Sequence, residues 1–130
     1  MNNLPGGAAL LEIAREMLNA EIRPHVDDAA RYTVAMIANA MAIAAREAAA
    51  GDAPALAALE RLDRLHANSP RKLHGEALKA AIAAHERRLA ADIRAGRYDA
   101  SDERQRAALE HLRESVAAKL RISNPKALTE

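Results

Sequence analysis

Five histidines, His25, His66, His74, His85 and His111, are the side chains best suited to metal ligation or acid–base work near neutral pH. No HExxH motif and no Glu-x-x-His pair falls on any expected helix, so their spacing points to no metal site. His85 lies on the apolar stripe of an expected helix and reads as a packed, hydrogen-bonded histidine. His66 and His74 flank one loop and could meet in space, which supplies two ligands but not a site. Hydroxyl nucleophiles need a base and a group that orients it. Ser69, Ser101, Ser115, Ser123, Thr33 and Thr129 show no such surroundings, and Ser101 is more simply a helix cap. Gly6-Gly7 lacks the context of a phosphate-cradling loop, and paired carboxylates occur only at helix starts, where the helix dipole accounts for them. Cysteine is absent, which excludes disulfides and thiolate chemistry. No catalytic residue, metal ion or cofactor is expected of this chain.

Charge is unevenly placed although the net charge is only +1. Residues 1–60 carry four basic against eight acidic side chains, residues 61–97 nine against four, and the remainder six against six. The basic stretch holds Arg61, Arg64, Arg71, Lys72, Lys79, Arg87, Arg88, Arg94 and Arg97. Its plainer reading is a solvated face paired with Asp63, Glu76, Glu86 and Asp92; the other is a contact for a phosphate-bearing ligand or an acidic partner surface. Nucleic acid is not expected, because no recognition motif occurs and Tyr32 and Tyr98 are the only aromatic rings available for base stacking. Asn39 is the one polar residue between Val34 and Ala45. A buried amide must be hydrogen-bonded, so Asn39 either fixes helix register from inside the core or lies at an interface or pocket floor.

The elements that would position these groups are helical throughout. Leu10, Leu11, Ala14, Met17, Leu18 and Ile22 recur at three- and four-residue steps and predict a helix over 8–23, stopped by Pro24. Asp27 and Asp28 are suited to start a second helix that runs to Gly51. Its apolar character nearly all round predicts the most enclosed position in the fold. Asp52 and Pro54 open a short third helix with Leu56, Leu59, Leu62 and Leu65 on one face, ended by Asn68, Ser69 and Pro70. Leu73, Leu78, Ile82, His85, Leu89 and Ile93 mark a long fourth helix closed by Gly96. Ser101 opens a fifth, with Leu109, Leu112, Val116 and Leu120, and Asn124 and Pro125 end it. No segment alternates with period two.

The expected fold is therefore all-α, an up-and-down bundle of four longer helices with the short third one as connector. Residues 1–7 read as a flexible arm, 8–125 as a single domain and 126–130 as a tail. The core is rich in Ala and lacks Phe and Trp, which favours close helix packing. Residues 1–7 lack the basic start and long apolar run of a signal peptide. The run from Val34 to Ala45 is too short to span a bilayer, so no membrane association and a cytoplasmic location are expected.

Read in order, several stretches resemble a small bacterial all-helical family of formally unknown function. They are Arg31 to Asn39 (RYTVAMIAN) leading to Arg46-Glu47, then Ile93-Arg94-Ala95-Gly96 with Asp99, then Leu112-Arg113, Lys119-Leu120 and Ser123-Asn124-Pro125. Members of that family are encoded beside kinases resembling aminoglycoside phosphotransferases and beside acyl-CoA dehydrogenases. The resemblance implies a noncatalytic accessory or regulatory subunit of such a kinase, acting on hydroxyacyl-CoA in acid catabolism. Carried over residue by residue, it points to Arg31, Arg94 and Lys119 for contacts to partner or phosphate. Asn39, Arg46 and Glu47 become polar packing or interface groups, and Gly96, Asn124 and Pro125 structural stops. The residue chemistry taken alone offers an alternative: a self-associating helical module that binds a small anionic ligand through residues 61–97.

Overall fold

The structure is a computed structural model and describes residues 3–129. It is all-helical, with five α-helices and no strand among the described residues. Met1 and Asn2 of the expected arm and Glu130 of the expected tail lie outside the described residues. The contacts gather the described residues into two compact units. One comprises those up to Gly51 together with those from Arg121 onward, and the other is Asp52–Leu120.

In the first unit α1 (Gly7–Met17) packs against α2 (Asp28–Ala50). The expected helix over 8–23 is not α-helical throughout: it loosens into a π turn at Leu18–Ile22 and tightens into a 3₁₀ turn at Arg23–His25. Pro24 explains the change, since it donates no N–H and its ring crowds the carbonyl four residues back, so the turns before it widen. Asp27 caps α2 by accepting a hydrogen bond from the Ala30 N–H at 2.8 Å. Only Val34, Ala38 and Ala45 of α2 are buried, while Met36 and Ile37 are 53% and 44% exposed. The expectation that α2 is the most enclosed helix is thus corrected. An all-round apolar helix reads the same whether neighbours within the chain cover it or not.

The second unit is built from α3 (Ala53–Leu65), α4 (Gly75–Arg94) and the part of α5 (Glu103–Ser123) up to Leu120. At 13 residues α3 is shorter than α2, α4 and α5 and shorter than the unbroken helical run from Gly7 to His25, as expected of the short third helix. Leu62, Leu89, Tyr98 and Ala108 form its buried cluster, with Leu65 and Ile82 packed against them. Asp102 caps α5, accepting from the Gln105 N–H at 3.0 Å, and not Ser101 as expected. Beyond α5, Pro125 opens a 3₁₀ turn, Pro125–Leu128, where a plain tail was expected.

Helices α3 and α4 end in the same way. After α4 the Arg97 N–H bonds the Asp92 carbonyl and the Gly96 N–H bonds the Ile93 carbonyl, with Gly96 at φ +79°. After α3 the Asn68 N–H bonds the Asp63 carbonyl and the Ala67 N–H bonds the Arg64 carbonyl. These are two Schellman endings, but the second places an alanine, Ala67, at φ +55°. A left-handed backbone costs an L side chain roughly 1 kcal/mol that glycine avoids. The two sites therefore respond with opposite sign. Ala67→Gly is expected to stabilise and Gly96→Ala to destabilise, each by about 1 kcal/mol, read by urea unfolding of the purified chain.

Candidate functional site

The second unit buries a chain of polar side chains. Asp63, one turn from the end of α3, is 1% exposed, and its carboxylate accepts from Arg71 Nη2 at 2.7 Å and Arg71 Nε at 3.2 Å. His85 Nε2 lies 2.8 Å from the same carboxylate oxygen and 2.7 Å from Arg71 Nη2. The His85 ring stacks on His66, centroids 4.7 Å apart at 23°, and the two Nδ1 atoms are hydrogen-bonded to each other. The far nitrogen of His66, Nε2, is buried with no hydrogen-bond partner.

A proton can occupy this chain in two ways. If His85 donates from Nε2 to Asp63, its Nδ1 accepts from His66 and the buried His66 Nε2 is a bare lone pair. If His85 instead accepts at Nε2 from Arg71, it donates from Nδ1 and His66 Nε2 carries the hydrogen. Both leave one unmet polar atom inside the unit. Arg71 holds the Asp63 carboxyl below its ordinary range, chiefly by hydrogen bonding. Burial pushes His66 down, with Arg88 and His85 acting in the same direction. The chain is thus an ionised carboxylate with a neutral His66 at its far end.

A third buried histidine, His111, is on α5. His111 is 3% exposed, and Arg61 Nε donates to its Nδ1 at 3.4 Å. Burial, then Arg61, pushes its ring toward the neutral form, so its one proton is on Nε2. His111 lines two clefts. The first, of about 320 Å³, is edged by Arg61, Arg64, Leu65, Ala107 and Glu110. The second, of about 270 Å³, runs between α4 and α5 and is largely apolar, with Leu89, Ile93, Leu112 and Val116 in its walls and Lys119 at its rim. Among the described residues no group of three or more His, Asp or Glu is arranged to hold a metal ion.

A family model described as a domain of unknown function, DUF6285, matches residues 24–127. The chain belongs to the DUF6285 family. The match begins at Pro24 and so leaves α1 and the π turn before it. No curated protein and no solved structure matches the chain.

The residues singled out from sequence are dispersed over this DUF6285 chain. Arg31 is on the first turn of α2, half-exposed and in a 3.4 Å ion pair with Asp28. Arg94 is exposed on the last turn of α4, and Lys119 lines the apolar cleft. Arg31 belongs to one unit and the other two to the second. Arg46 Nε donates to the Ile122 carbonyl at 2.6 Å and so satisfies an end carbonyl of α5, while Glu47 is exposed. Asn39 is exposed among the described residues, so of its two readings the buried register bond is corrected and the interface reading is left. Gly96 makes the Schellman ending described above, and Asn124 and Pro125 follow α5 directly. The juxtaposition of His66 with His74 is also corrected. His66 follows Leu59 and Asp63 on the buried side of α3 and meets His85 of α4, and His74, just before α4, stays exposed.

The buried chain itself was missed. Its signal was present, since Leu59, Asp63 and His66 follow one another at steps of four and three, which places an acid and a histidine on the buried side of α3. Arg71 lies in a loop and had no periodicity to reveal it.

Two outcomes follow from this geometry. Asp63→Ala removes the acceptor shared by Arg71 and His85 and is expected to destabilise the protein by about 3 kcal/mol, measured by urea unfolding followed by circular dichroism. Stability is also expected to decrease on acidification in two stages. The folded-state affinity of His66 and His111 for protons is depressed, so the unfolded chain takes up protons first as pH falls below about 6.5. Asp63, whose folded value is also depressed, contributes stability that is present above about pH 4 and lost as pH falls through its lowered value. Melting temperature recorded between neutral and acid pH should fall monotonically, and a rise between pH 7 and 5 would contradict the assignment of neutral, buried imidazoles.

Proposed function

We propose that this protein is a noncatalytic accessory subunit that docks on a kinase resembling aminoglycoside phosphotransferases and acting on hydroxyacyl-CoA. One observation carries the docking part of this reading: both helices of the first unit are apolar on two sides. On α1 and the first residue of the π turn, Leu11, Ala14 and Leu18 are half-buried, while Leu10, Ile13 and Met17 form a second stripe, about half-exposed. On α2, Val34, Ala38 and Ala45 are buried, while Tyr32 and Met36 are 71% and 53% exposed. Large apolar residues exposed in helical register mark a surface for another protein. Asn39 continues the stripe of Tyr32 and Met36 at a three-residue step, where an amide supplies hydrogen bonds at the rim of an apolar contact.

The identity of the partner rests on the family resemblance of Arg31 to Glu47 and of the segments around Arg94, Lys119 and Pro125. In this reading α2 provides the apolar anchor, and Arg31 beside it provides an ionic contact. Arg94 and Lys119 are the corresponding cations of the second unit, set to meet phosphate or partner carboxylates.

The test is co-expression with a phosphotransferase-like kinase encoded beside the gene, followed by size exclusion and an assay on a hydroxyacyl-CoA with and without this chain. Co-elution and a gain in activity are expected. Met36→Glu should weaken the complex by roughly thirtyfold or more while leaving the helical spectrum of the isolated chain intact, as expected of an anchor residue. Separate elution with unchanged kinase activity would overturn the proposal. A stable dimer of the chain alone that Met36→Glu dissociates would assign the same face to a second copy.

A further inference from the structure

The cleft of about 320 Å³ beside His111 contains an unusual cation. Arg61 is half-buried, yet it makes no ion pair with any carboxylate among the described residues. Its hydrogen bond from Nε goes to the neutral imidazole of His111, which fixes the plane of the guanidinium without neutralising it. A partly desolvated charge without a counter-ion is costly, and an anion brought to it relieves that cost. Arg64 lies one turn further along α3 and lines the same cleft. Its pairing with Glu60 is 3.9 Å long with both side chains about two-thirds exposed, so it is readily exchanged for a better partner. Glu110 is the one acid on the cleft wall, which leaves the lining with two cations against one anion.

We propose that this cleft is a binding site for a small phosphorylated ligand. The phosphate oxygens take the N–H groups of Arg61 and Arg64, and Glu110 accepts from a hydroxyl on the body of the ligand. Two guanidinium forks one turn apart match a dianionic oxyanion with several acceptor oxygens better than a single carboxylate. Lined also by Leu65, Ala107 and His111, the cleft is at the small end of ligand pockets, which suits a phosphate ester of a short carbon chain. This narrows the general expectation of an anion site in residues 61–97 to two arginines of that stretch, with a histidine of α5 behind them. It is independent of the kinase reading, since it concerns the isolated chain and different residues.

The experiment is a titration of the full chain, ¹⁵N-labelled, with inorganic phosphate and then glycerol phosphate at constant ionic strength, with potassium chloride and acetate as controls. Saturable shifts at Arg61, Arg64 and the His111 ring are expected for both phosphates. Glycerol phosphate should bind more tightly than inorganic phosphate. Arg61→Gln should weaken binding about tenfold, the scale of one lost charge-assisted pair, and exposed Arg87→Gln should leave it unchanged. If Arg61→Gln disturbs the fold, Arg64→Gln, an exposed position, must show several-fold weakening on its own. Linear shifts without saturation, equal effects of chloride, acetate binding as tight as phosphate, or unaltered affinity in both arginine variants would each overturn the site.

Discussion

A carboxylate buried near the C-terminal end of a helix is disfavoured twice, once by desolvation and once by the partial negative charge of the helix end. Asp63 occupies such a position in α3 and is kept ionised by Arg71 and His85. Much of the second unit depends on this contact. It draws the loop after α3 back against the helix, fixes His85 on α4, and through His85 holds His66, the residue at which α3 ends. The left-handed Ala67 is the backbone's contribution to the same region: it ends α3 and starts the loop that brings Arg71 back to Asp63.

The end of α4 repeats the device. Asp92 holds the place in α4 that Asp63 holds in α3: it is buried, its carbonyl accepts the long Schellman bond, and its carboxylate is paired with arginine, here Arg97 at 3.3 Å with Arg88 at 3.8 Å. In both cases an arginine beyond the turn comes back to the carboxylate, so the charge that burial penalises also clamps the chain after the helix. The repetition concerns chemistry and not conformation, because glycine takes the left-handed position in one ending and alanine in the other.

What the sequence made legible follows from where the information is local. Helix stops at Gly51, Gly96 and Pro125 were readable because proline and glycine act through their own backbone, whereas Pro24 disturbed the turns before it and did not itself end the helical run. So was His85, whose place on the stripe with Leu78, Ile82 and Leu89 fixes its burial. The enclosure of α2 was misread because a hydrophobic run records that a surface prefers cover and not which molecule supplies it. The buried reading of Asn39 failed with it. The Asp63 chain was hidden for another reason: its members come from a helix, a loop and a second helix, and pattern reading treats the acid as a solvated neighbour of nearby arginines. The cleft at Arg61 was foreshadowed only as an excess of positive charge, because which cation lacks a partner depends on the packing of α3 against α5.

The absence of Trp and Phe leaves two tyrosines as the chain's principal chromophores, and they fall one in each unit with opposite environments. Tyr98 is 8% exposed within the core of the second unit, with the Arg104 guanidinium 5.6 Å from its ring centre, whereas Tyr32 stands 71% exposed on α2. Near-ultraviolet dichroism, which needs an immobilised ring, therefore reports the second unit almost alone, and far-ultraviolet dichroism reports the helices of both. Disagreement between the two signals during unfolding would reveal units that melt separately, without any label or substitution. Quenching of Tyr32 on addition of a partner would in turn report cover over α2.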